Sequence, residues 1–161
     1  MQLNYWLLLA TGLIPIIVGF VWYNPKVFGQ EWMNTIGISE ESMKGANMLL
    51  IFILSYLFGC MISLALHTMV IHQMGFESVF NGDTSYDVVA FKKNFYDLYG
   101  SRFRTFKHGV LHGVIAALFI ALPVIGVNAL WNRKTAKYIF IHVGYWVICM
   151  GLMGGVICAF M

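Results

Sequence analysis

Four long apolar runs alternate with polar stretches along this chain of 161 residues. They cover roughly residues 3–22, 48–72, 107–130 and 138–160. Each supplies about the ~20 apolar residues that a helix needs to cross a bilayer. The first run carries an aromatic pair at each end, Tyr5–Trp6 and Trp22–Tyr23. At 1.5 Å per residue these pairs stand ~25 Å apart, the separation of two interfacial aromatic belts. Pro15 and Gly19 fall inside that run, where a membrane helix tolerates them, and Pro15 predicts a kink.

The polar stretches carry their own punctuation. Asn24 is suited to cap a helix, Pro25 to its first position and Gly37 to its stop, with Phe28, Trp32 and Ile36 recurring every four residues. This predicts a short amphipathic helix over 25–36 in the headgroup layer, with Trp22, Tyr23, Pro25, Phe28 and Trp32 as interfacial anchors. Ser39 can cap a further helix that continues through Lys44 and Asn47, so that the second span projects a turn or two into water. Residues 72–104 form the largest polar region, with a turn at Asn81-Gly82-Asp83. A second amphipathic helix is predicted over 86–99, stopped at Gly100. Its stripe of Val88, Phe91, Phe95 and Leu98 would rest on lipid or on the bundle.

Composition sharpens this picture. Apolar residues make up 60% of the chain and charged ones only 11%, where a soluble domain carries about a quarter. Most of the surface therefore faces something other than water. The net charge of +3 is small, and its Lys and Arg lie in loops and at helix ends. That suits contact with the lipid bilayer and excludes a nucleic-acid surface. Cys60, Cys149 and Cys158 sit in apolar runs without a C-x-x-C, so neither a disulfide framework nor a zinc site of standard spacing is expected. The start, MQLNYWLLLATG, lacks a basic lead and an A-x-A cleavage pattern and reads as a retained helix.

The fold class is thus an all-α integral membrane protein, a single domain of four transmembrane helices with two short interfacial amphipathic helices. An even number of spans puts both termini on one face, together with the long polar region. Lys92, Lys93, Arg102, Arg104 and Lys107 on that terminal face balance Lys26, Lys44, Arg133, Lys134 and Lys137 on the opposite one, so the charges leave the orientation open.

Histidine offers the candidate chemistry. His108 and His112 are four apart at the start of the third span and share one helix face. His67 and His72, at the end of the second, fall at a similar depth. On a continuous helix they point about 140° apart, so at most one of them joins the first pair. Two histidines at this spacing plus one or two more ligands can hold zinc or another imidazole-binding divalent metal. The plainer reading is that histidines near a membrane interface hydrogen-bond to neighbouring helices or headgroups. There is no H-E-x-x-H frame, so a metalloprotease is not supported. His142 lies a turn inside the opposite end of the fourth span, where a buried, hydrogen-bonded role near the end of the first span is expected. Gly109 and Gly113 allow a second backbone to approach the third span. Gly151 and Gly155 do the same on the fourth, toward a neighbouring helix or another copy.

Three stretches carry a resemblance: WYNPKVFGQEWM (22–33), FRTFKHGVLHG (103–113) and HVGYW (142–146). They resemble the bacterial membrane-protein family known as the domain of unknown function 1761 family. The resemblance implies a four-helix integral membrane fold, in the bacterial inner membrane, and supplies no activity, substrate or cofactor. With no Asp, Glu, Lys or Arg inside the spans, a non-enzymatic scaffold or accessory protein that self-associates or joins a membrane-protein partner is the leading expectation. Two alternatives stand beside it: a histidine-based metal or small-ligand site, possible also as a catalytic one, and a small oligomeric transporter or channel.

Overall fold

A computed structural model describes residues 3–161. Met1 and Gln2, the first two residues of the start read above as a retained helix, lie outside the described residues. Four helical segments are long and apolar enough to cross a membrane: Tyr5–Trp22, Met48–Val70, Phe106–Trp131 and Ala136–Phe160.

The first segment is two helices, α1 (Tyr5–Thr11) and α2 (Ile14–Trp22). Pro15 has no N–H for the Thr11 carbonyl four residues back, and the helix breaks there. The break is where it meets the second segment. A Cβ on Gly59 would run into the Gly12 carbonyl, and the Thr11 and Ser63 hydroxyls lie 2.5 Å apart.

A π turn over Pro25–Gly29 leads into α3 (Gln30–Ile36), with Asn24 capping the Lys26 N–H and Gly37 ending the helix at φ 76°. Ser39 caps only a single turn, α4 (Glu40–Met43). The expected continuous helix is broken between Lys44 and Asn47, because the Asn47 side chain accepts from the Leu50 N–H and starts a new one. That helix, α5, runs Met48–Val70, and Ile71 is extended at φ −108°, ψ 98°. The second span therefore stops short of His72, which opens α6 (His72–Val79), a helix in the polar region ahead of the predicted turn at Asn81-Gly82-Asp83.

Next, α7 (Tyr86–Tyr99) folds back on α6. Its apolar stripe meets protein there: Phe95 stacks on Phe76 at 3.7 Å between ring centroids, and Phe91 packs on Phe76 and Phe80. The third span is α8 (Phe106–Ala116), a π turn over Ala117–Ala121, and α9 (Leu122–Trp131). Pro123 leaves the Phe119 carbonyl without its helical donor, and the widened turn sits just before it. The fourth is α10 (Ala136–Phe160), capped by Thr135.

The centre of the bundle is α10, half of whose apolar window is buried against about a fifth for the other three spans. Glycine explains its closest contact. A Cβ on Gly109 would collide with the Gly154 carbonyl, and one on Gly113 with the Met150 carbonyl, so α8 and α10 touch backbone to backbone. Gly151 lies against Val114 and Gly155 against the Phe106 ring. Both glycine ridges thus meet within one chain, with Gly154, outside the predicted i, i+4 pair, at their crossing. Large apolar side chains such as Phe58, Phe119 and Phe140 face outward, as a lipid-exposed surface requires.

Candidate metal centre

The site is built where α5, α6 and α8 end or begin on the face that holds both ends of the described chain. There the Asn4 N–H lies 3.2 Å from the Met161 sulfur. Three hydrogen-bonding side chains fix its frame. The Cys158 thiol donates to the Val70 and Phe103 carbonyls at 3.4 and 3.3 Å, tying the end of α5 to the turn before α8. Arg104 Nε donates to the Cys158 carbonyl at 3.1 Å. The buried Gln73 amide donates to the Tyr99 and Arg102 carbonyls at 2.8 and 2.9 Å, tying α6 to the end of α7. Thr105 then caps α8 through the His108 N–H.

Within this frame His72, His108 and His112 converge. One ring nitrogen from each lies within 4.8 Å of the others. His72 Nε2 and His108 Nε2 are 2.9 Å apart, a hydrogen bond in which one ring is the donor. The ring centroids are 4.5–5.0 Å apart. Metal–nitrogen bonds of about 2.0–2.1 Å in a tetrahedron put ligand nitrogens about 3.3 Å apart. Small side-chain rotations from this hydrogen-bonded arrangement would reach that spacing. The three histidines could therefore bind a metal.

Phe103 backs the group. Its ring stacks on His108 at 5.0 Å and 18°, and meets His72 edge-on at 5.9 Å. It holds this place from a left-handed backbone, φ 64°, which a side chain adopts at a cost of roughly 1–2 kcal/mol. Strain of this kind is common where function fixes geometry.

His67 does not join. It is 2% exposed, its Nε2 has no partner among the described residues, and it points into the bundle one turn above Ser63. The break at Ile71 separates its direction from that of His72. His142 is on the opposite face against Tyr138 and Tyr23, with ring centroids at 4.2 and 6.3 Å. Its buried Nε2 likewise has no hydrogen-bond partner among the described residues. Four of the predicted anchors form a part-exposed aromatic group next to it, of which Tyr23 touches His142 itself. Trp22 donates to the Ile141 carbonyl at 3.0 Å and packs on Phe28, while Tyr23 lies against Trp32 and Tyr145. Burial raises the Tyr23 phenol well above its usual value. Pro25 opens the π turn.

Beside the histidines, the α6–α7 pair carries an acid held by two donors. Glu77 accepts from Lys92 and from the Tyr96 hydroxyl. The Lys92 bond holds its carboxyl below the ordinary range, while burial and Glu77 push Tyr96 up to about 12.

The motif that carries His108 and His112 lies within a broader match. The family described as "Protein of unknown function (DUF1761)" matches residues 6–158. The chain belongs to the DUF1761 family. Comparison with curated proteins finds no match, and comparison with solved structures finds none. For this DUF1761 protein, chemistry has to be argued from the site itself. Of its parts, Gln73 gave no sequence signal, and Phe103 entered only through the resemblance.

Proposed function

We propose that this membrane protein binds a divalent transition metal, zinc or a close analogue, through His72, His108 and His112 at one membrane face. The observation that carries this reading is the convergence of three ring nitrogens within 4.8 Å from two elements 36 residues apart. Neutral imidazole suits zinc, copper, iron and nickel. Three protein ligands leave a fourth position open, the pattern of sites that exchange a ligand instead of merely stapling a fold. The self-associating scaffold has less support, because Gly109, Gly113 and the α10 ridge already pack on each other within the chain.

Elemental analysis of detergent-purified protein tests the reading. One zinc-class metal per chain is expected in the wild type, and loss of it in His108→Ala/His112→Ala at unchanged helix content. Metal-free wild type after exposure to micromolar zinc would overturn it.

A further inference from the structure

The histidine group borders a cavity of about 300 Å³ that His72 shares with Gln73, Phe95, Tyr99, Arg102 and Phe103. In its wall the Arg102 guanidinium lies over two rings, its central carbon 5.6 Å from the Tyr99 centroid and 5.2 Å from that of Phe103. Phe103 is the ring stacked on His108. A positive charge, held by two aromatic rings, thus stands one ring away from the ligands.

Charge makes this arrangement incomplete with a metal alone. Three neutral imidazoles leave a dication's charge uncancelled, and the ion's own charge dominates such a site. Among the described residues no carboxylate belongs to the ligand group. The nearby acids have other partners: Glu77 holds Lys92 and Tyr96, and Asp97 holds Lys93. Two basic side chains also stand close to the α8 start. Arg104 is bonded to the Cys158 carbonyl, and Lys107 is exposed in the first turn of α8. An anion beside the metal would relieve this excess, and the cavity gives it room.

We infer that the open metal position takes an oxyanion of the phosphate class, bridged to Arg102. This rests on the metal reading above. Phosphate fits better than carboxylate because its oxygens can reach the metal and still engage a guanidinium in paired hydrogen bonds. The oxyanion can come from free phosphate or from a phospholipid headgroup, since the site lies at the ends of spanning helices.

The test uses full-length protein in a maltoside detergent, loaded with cobalt(II), whose visible absorption reports its ligands. Inorganic phosphate is titrated in one arm. In the other, micelles receive phosphatidic acid, with diacylglycerol as control. A saturable change in the cobalt spectrum is expected in at least one arm, and the arm identifies the source. Arg102→Gln should still load cobalt but bind the oxyanion about tenfold or more weakly, as loss of charge-assisted hydrogen bonds predicts, with Arg102→Lys in between. Stoichiometric cobalt with no response in either arm would overturn this inference and leave the metal reading standing. So would an unchanged response in Arg102→Gln. Failure to load cobalt at all would overturn both.

Discussion

His72, His108 and His112 are each expected to be indispensable for metal binding, because three ligands are the minimum for an ion held chiefly by protein. Replacing any one by Ala should weaken binding by more than the roughly 10–100-fold that changes around a ligand shell produce. Gln73→Leu belongs to that milder class. It removes the bonds that tie α6 to the Tyr99 and Arg102 carbonyls without touching a ligand. Zinc competition against a chromogenic chelator would rank the two kinds of variant, and equal losses would contradict the assignment of ligands. His67→Ala should leave metal affinity alone, since that ring points into the bundle. At Gly154 the expectation concerns stability. A methyl group there meets the Gly109 backbone, so Gly154→Ala must separate α8 from α10. Overpacking of this kind costs about 1–3 kcal/mol, readable as a lower unfolding midpoint in detergent.

At the scale of elements, α6 and α7 depend on pH. The folded state holds the Glu77 carboxyl below its ordinary value through Lys92 and Tyr96. Its contribution is therefore fully present above the ordinary carboxylate range and is lost as pH falls through the lowered folded value. Amide protection factors in α6 and α7, corrected for the intrinsic pH dependence of exchange, should fall selectively between neutral pH and strong acid, and Glu77→Gln should flatten that dependence. A uniform fall in protection across all spans would contradict it. These same elements mark where sequence reading ran out. The four spans were legible because lipid demands long apolar helices, and Asn24, Gly37 and the proline positions announced their own breaks. The end of α5 at Ile71 has neither Gly nor Pro. It follows from tertiary bonds, chiefly Cys158 to the Val70 carbonyl and Gln73 to the end of α7. That break turns His72 toward His108, so a helical wheel drawn through residue 72 could not decide which of His67 and His72 joins. The i, i+4 pair on α8 was legible, whereas its third partner required the fold. The aromatic residues after the first span carried the composition of interfacial anchors. The contacts of Trp22 with Ile141 and of Tyr23 with His142 and Tyr145 depend on α10, more than a hundred residues later.

For the molecule as a whole, one chain supplies both glycine ridges, the buried central helix and all three candidate ligands. A single copy therefore suffices for the proposed site, and metal stoichiometry should be one per chain whatever the assembly in the membrane. The most direct measurement is X-ray absorption at the zinc edge on zinc-loaded, detergent-purified protein. The account predicts a first shell of three imidazole nitrogens at about 2.0–2.1 Å with one further light ligand, reduced in the His72→Ala variant. A shell containing sulfur, fewer than three imidazoles in the wild type, or a signal unchanged in His72→Ala would contradict it.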